Sequence, residues 1–148
     1  MTTTIRAVRP EDNAEWLRMR RSLWDECPED QQVREMQEIV ESDTEEVFVA
    51  ERPDGGLCGF VEAAIRPWAI GCEARPVGYV EGWNVDEDAR RHGAGRALVE
   101  AAEAWARSRD CRQMASDAEL WNEVSQQAHG ALGYVETARL VLFRKELG

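Results

Sequence analysis

Apolar and polar residues alternate through "TIRAVR", which predicts an opening strand at 4–9. The period then lengthens. In "PEDNAEWLRMRRSLW" Pro10 and Asp12 are start signals, and Trp16, Met19 and Leu23 recur at helical spacing. "CPEDQQVREMQEIVES" predicts a second helix with Val33, Met36 and Val40 on its inner face. "EEVFVAE" and "LCGFVEAAIR" return to strand character, and "RPDGG" between them has the residues of a tight reversal, so the pair reads as a β-hairpin. "PWAIGCEARP" breaks the pattern and reads as a loop. "VGYVEGWNV" is a strand interrupted by Gly78 and Gly82, as at a bulge or a close backbone approach. A long helix follows from about Gly93 to Arg109, with Ala97, Leu98, Ala101, Ala104 and Trp105 as the expected buried stripe. "CRQMASD" predicts a short strand, and "NEVSQQAHGAL" a helix with Asn122 as N-cap and Gly133 as stop. "YVETARLVLFRKEL" closes the chain as one or two strands. The order β-α-α-β-β-β-α-β-α-β-(β) predicts an α/β (α+β) fold: one domain over 1–148, a mixed sheet flanked by helices.

The chain has 148 residues, 43% hydrophobic and 32% charged, as expected of a globular protein. The N-terminus lacks the apolar core of a secretory signal and no apolar run reaches bilayer length, so the expected location is cytoplasmic, with no membrane partner. Asp and Glu number 29 against 18 Lys and Arg, a formal net charge of −11. That balance argues against nucleic acid as partner and suits a cationic substrate, although acidic surfaces also serve solubility. Cys27, Cys58, Cys72 and Cys111 form no C-x-x-C pair, and neither His92 nor His129 stands at ligand spacing from them; reduced thiols and no metal are expected.

Against this acidic background, Arg90, Arg91, His92, Gly93, Ala94, Gly95 and Arg96 place positive charge and two glycines at the mouth of the long helix. The first N–H groups of a helix lack internal partners and carry the positive end of its dipole, and glycine lets an anion approach the backbone. A Walker loop requires G-K-[ST], where this chain has Arg96 and Ala97. A dinucleotide fingerprint requires glycine at the position of Leu98.

The remaining pattern, Arg90-x-x-Gly93-x-Gly95 within "WNVDEDARRHGAGRALVEAAEAWA", resembles the acyl-CoA pyrophosphate loop of the GCN5-related N-acetyltransferase (GNAT) superfamily. "AAIRPWAIGCEARPVGYVEGWNV", "CRQMASDAELWNEVSQQAHGALGYVET" and the final "FRK" are similar to one subgroup, the aminoglycoside 6′-N-acetyltransferases, over roughly Ile5 to Lys145. The loop Pro67–Arg75 departs from that subgroup. The resemblance implies the GNAT fold, a homodimer, and acetyl transfer from acetyl-CoA as cosubstrate to the 6′-amine of an aminoglycoside. Two other readings remain open: an N-acetyltransferase for another polyamine, metabolite or peptide amine, and a non-catalytic acyl-CoA-binding module.

The resemblance also implies site residues. Trp83, Asn84 and Val85 are expected beside pantetheine, with Asn122 either bonded to it or only capping its helix. Trp24, Trp68, Glu73, Tyr79 and Glu136 are expected on the drug side. Glu81 and Asp117 are the carboxylates expected to bind the drug's ammonium and take its proton. His129 stands where the wider superfamily often has tyrosine. It is expected either to protonate the departing CoA sulfur or to be a packing histidine.

Overall fold

The structure, a computed structural model, describes residues 2–148. Five strands form one sheet in the order β1-β2-β3-β4-β5: β1 Thr4–Ala7, β2 Glu45–Glu51, β3 Leu57–Arg66, β4 Val77–Val85 and β5 Met114–Ser116. The first four are antiparallel neighbours, whereas β5 lies parallel to β4. A parallel neighbour needs a crossover, and α3 (Ala94–Ser108) supplies it. Helices α1 (Asn13–Leu23) and α2 (Glu29–Glu41) join β1 to β2, and α4 (Glu123–Ala131) follows β5.

Each face of the sheet has its own core. Val47, Val49 and Phe60 pack with Trp16, Met19 and Met36 of α1 and α2, while Cys58, Val61, Ala63 and Val80 pack with Leu98 and Ala102 of α3. Residues 57–64 of β3 are therefore buried without a break, and Glu62 is the one charged side chain in that run, as expected of a sheet covered on both faces. A Cβ on Gly78 would stand 2.7 Å from the Cβ of Ala106, so glycine here permits close contact between β4 and α3.

Three expectations are corrected. The buried stripe of α3 is Ala94, Leu98, Val99, Ala102 and Ala106, one position from the expected set, and Ala104 is exposed. Alanines on both sides make the pattern degenerate, and the approach at Gly78 selects the face. In α2 the buried residues are Gln32 and Met36, with Val33 and Val40 exposed. Gln32 is drawn inward by bonds from Arg20 Nε (2.9 Å) and to the Trp24 carbonyl (3.0 Å). Residues 134–148 form no strand; Leu142 and Phe143 are 89% and 91% exposed. A strand exists only when it pairs with an edge, and this segment pairs with none, although β5 ends the sheet with a free edge.

Candidate active site

The anion loop is built as its sequence requires. Beyond β4, a 3-10 turn at Glu87–Ala89 leads into Arg91 and Gly93, both left-handed at φ 67° and 89°. Alternation of left- and right-handed residues makes backbone N–H groups converge into a concave nest. Among the described residues no side chain caps α3, and nothing lies within 4 Å of where a Gly93 Cβ would be. Arg90 Nε donates to the Val85 carbonyl at 2.8 Å, which fixes the turn against β4. An Arg96 nitrogen donates to the Ala131 carbonyl at 3.0 Å and so ties the start of α3 to the end of α4. Trp83 lies beneath the loop, its indole N–H donating to the Gly95 carbonyl at 3.1 Å. Arg91 and His92 are exposed, and Ala94 is buried.

A cleft of about 1170 Å³ extends from Arg90, at the near edge of this loop, to α2, and Trp83, Asn84, Glu81, Asp117 and Trp24 all line it. Its wall carries nine carboxylate residues and two arginines, Arg20 and Arg90. The acidic composition is thus concentrated where a polycation would be held.

Glu81 owes its place to a β-bulge. Gly82 pairs with Glu62 and Val80 with Ala63, so Glu81 is the extra residue of β4. Its two oxygens accept from Arg66 Nε (2.8 Å) and from a terminal Arg66 nitrogen (2.6 Å). The same guanidinium lies 3.5 Å from the ring centre of Tyr79, and the Tyr79 hydroxyl donates to Asp117 Oδ2 at 2.5 Å. Burial, and then this bond, push the Tyr79 phenol well above its ordinary range, so it remains a donor. Arg66 was not legible as a site residue; its only sequence signal is a cation at the end of a strand, and its register partner is Val77 rather than Glu81. Below the cleft, Glu62 accepts from Arg20 and from the Trp16 indole (3.0 Å), and desolvation, only partly opposed by Arg20, raises its carboxyl.

Other predicted residues fall on both sides of the boundary. Asn122 caps α4, its side-chain oxygen accepting from the Ser125 amide at 3.0 Å, and it also lines the cleft. Val85 is buried under the loop. Trp24 stands over Gly82, where an added Cβ would come within 2.4 Å of the indole. Trp68 and Glu73 lie exposed on the 67–76 loop, and Glu136 pairs with Arg139 on the exposed C-terminal segment; these three do not line the cleft. Tyr79 is 9% exposed and reaches the cleft only through Asp117. His129 does line it, hydrogen-bonded to Ser116 and to the Ser125 carbonyl. The four cysteines are free, and no group of three metal-ligating side chains occurs among the described residues.

Residues 16–134 match the family model described as "Acetyltransferase (GNAT) family". The chain is 44% identical over 146 residues to an aminoglycoside N(6′)-acetyltransferase type 1 of Klebsiella aerogenes, covering 97% of this chain and 96% of that one. It is 41% identical to the Serratia marcescens protein of the same name, covering 90% and 92%. Among solved structures, AAC(6′)-Iy in complex with the bisubstrate analog CoA-S-monomethyl-acetylneamine superposes with a TM-score of 0.93 at 34% identity, covering 99% of both chains. AAC(6′)-Ih from Acinetobacter baumannii gives 0.93 at 32%, covering 99% and 100%.

Proposed function

From the premise that this chain belongs to the GNAT acetyltransferase family, among the aminoglycoside N(6′)-acetyltransferases, we propose that it moves an acetyl group from acetyl-CoA to the 6′-amine of aminoglycosides. The observation that carries this reading is a cleft whose wall is rich in carboxylates and which reaches Arg90, the residue that opens the turn before the uncapped, glycine-containing start of α3.

The residues present fit the cosubstrate. Free amides at the start of the 15-residue α3, the open space over Gly93 and the surrounding Arg90, Arg91, His92 and Arg96 form a cradle for a diphosphate. Asn84 lines the cleft between that cradle and the carboxylates, where a pantetheine arm would pair with backbone. Acetyl-CoA, when bound, supplies the activated acetyl group as a thioester.

The chain's own residues do the rest. Carboxylates along the cleft bind the acceptor's ammonium groups, with Trp24 as an apolar floor. Asp117 takes the proton that the 6′-ammonium must lose before its nitrogen can attack. It suits this better than Glu81, because Asp117 accepts one bond, from Tyr79, whereas Arg66 occupies both oxygens of Glu81. Glu81 serves as an acceptor-binding group whose orientation Arg66 fixes. No cysteine is required, because direct attack needs no acyl-enzyme.

A homodimer fits the same reading. Among the described residues thirteen large apolar side chains are exposed, six of them from Val135 onward, and α4 has no buried residue. A second copy that pairs with the C-terminal segment would cover both. A cytoplasmic location fits an enzyme that draws on acetyl-CoA.

Thiol release from acetyl-CoA with kanamycin and tobramycin tests the function. Turnover is expected with both, and Asp117→Ala should lower it by a factor of about 10² or more. Turnover confined to a polyamine or a peptide amine would replace the acceptor. Binding of CoA with no turnover on any amine would overturn the enzyme reading.

A further inference from the structure

Ser116 has no role in the account so far, yet it stands at the apex of the cleft. The parallel ladder runs Gly78↔Met114, Tyr79↔Ala115 and Val80↔Ser116, and there it ends. Ser116 and Asp117 both line the cleft beyond that point. The gap that opens between β4 and the chain after β5 starts at the Ser116 side chain.

Behind Ser116, His129 is held on every side. Its Nδ1 lies 2.7 Å from the Ser125 carbonyl oxygen. A carbonyl can only accept, so Nδ1 carries a hydrogen whether the ring is neutral or charged. Trp83 and Tyr134 approach edge-to-face, with ring centres 5.4 and 5.8 Å away. The other ring nitrogen, Nε2, lies 2.7 Å from Ser116 Oγ. With both nitrogens engaged, His129 reaches the cleft through Ser116.

We propose that Ser116 delivers the proton to the departing CoA sulfur, and that His129 acts behind it as the proton source. When the ring is neutral, the serine hydroxyl donates to Nε2. When the ring is protonated, Nε2–H donates to Oγ and the hydroxyl hydrogen is released toward the cleft. As the amine nitrogen forms its bond to the acetyl carbon, the carbon–sulfur bond breaks and its electron pair goes to sulfur. Sulfur takes the Oγ hydrogen while the Nε2 hydrogen moves to Oγ. Serine ends as a hydroxyl, His129 as a neutral ring, and CoA leaves as a thiol. One of the two protons shed by the attacking ammonium nitrogen restores the imidazolium through solvent, so the cycle balances. Ser116 is then the catalytic residue of this step and His129 its positioning and charging partner.

The inference rests on the proposed acetyl transfer, and its test separates the two. Single-turnover acetylation of kanamycin would be measured for Ser116→Ala, His129→Gln and the double variant. Each single variant should slow the step by roughly 10²-fold. The double variant should be no slower than either single one, and the KM for acetyl-CoA should stay within about twofold, since the diphosphate cradle is untouched. Ser116→Thr, which keeps the hydroxyl, should recover most of the rate. Nitrogen-15 NMR supplies a readout independent of turnover, and the chain has only two histidines to assign. The neutral His129 ring should be the Nδ1–H tautomer, with an Nε2 resonance that moves in Ser116→Ala. A near-normal rate in Ser116→Ala beside a large loss in His129→Gln would overturn the relay. So would an Nε2–H tautomer, or an acetyl group trapped on Ser116 and seen by mass spectrometry. A wild type that acetylates no aminoglycoside would overturn the acceptor instead, and the tautomer and its response to Ser116→Ala would still decide the relay.

Discussion

The ion pair under the cleft gives the sharpest stability test. Arg20 and Glu62 pair with side chains only 2% and 5% exposed, and the Trp16 indole and Gln32 complete their hydrogen bonds. Removing either partner strands the other, but the two respond differently. Arginine cannot shed its proton, so Glu62→Gln leaves a buried cation whose nearest remaining carboxylate is Glu35, 3.4 Å away; a cost of about 3–5 kcal/mol is expected at any neutral pH. Glutamate can neutralise itself. In Arg20→Met the apolar surroundings, already pushing the Glu62 carboxyl upward, lose their main opposition, so the folded variant holds Glu62 protonated. A carboxyl raised in the folded state contributes stability fully at pH values below its unfolded range, and that contribution falls as pH rises. The slope is about 1.4 kcal/mol per pH unit; wild type, whose Glu62 carboxyl is itself raised, carries part of it, so Arg20→Met should lose up to about 2–3 kcal/mol relative to wild type between pH 5 and pH 7. This comes on top of a pH-independent loss of about 1–3 kcal/mol from the stranded Gln32 oxygen. Urea unfolding at pH 5, 6 and 7 measures it. A variant-minus-wild-type difference that stays flat across those pH values would refute the reasoning, because Glu62 would then remain ionised without Arg20, solvated through the cleft.

Three more predictions follow from single contacts. Gly82→Ala should cost about 1–3 kcal/mol in urea unfolding and also raise the KM for the acceptor, because the new methyl overlaps Trp24 and displaces it from the cleft wall; an unchanged KM would detach Trp24 from acceptor binding. Gly95→Val should raise the KM for acetyl-CoA by roughly tenfold or more, since a branched side chain 3.3 Å from Trp83 crowds the amides of the cradle; isothermal titration with CoA checks it, and unaltered affinity would move the diphosphate elsewhere. The Arg6 guanidinium, bonded at 2.7 Å, holds the Asp12 carboxyl below its usual range, so its stabilisation is present above the unfolded carboxylate's titration and is lost as pH falls through the lowered value. Asp12→Asn should therefore lose about 2 kcal/mol at pH 7 and converge with wild type in strong acid, followed by circular dichroism.

The hairpin of β2 and β3, the interrupted β4 and the cap of α4 are all legible in the sequence, because each depends on neighbours within a few residues. Periodicity, turn chemistry and a capping asparagine act locally. The anion loop is legible for the same reason, since its amides and glycines are consecutive in the chain. The facing of α3 was not legible, because alanines on two sides leave the choice to the contact at Gly78. Nor was the exposed end of the chain, because a strand pattern states a propensity and only a partner edge realises it. Arg66 meeting Glu81, Tyr79 meeting Asp117, and Ser116 standing between His129 and the cleft are pairings across strands and helices separated by up to 38 residues. Sequence alone determined which chemical groups the chain carries and the local conformations around them. Tertiary structure decided which groups meet, because side-chain contact depends on the register of the sheet and the close packing of helices upon it, and these are set by the whole core at once.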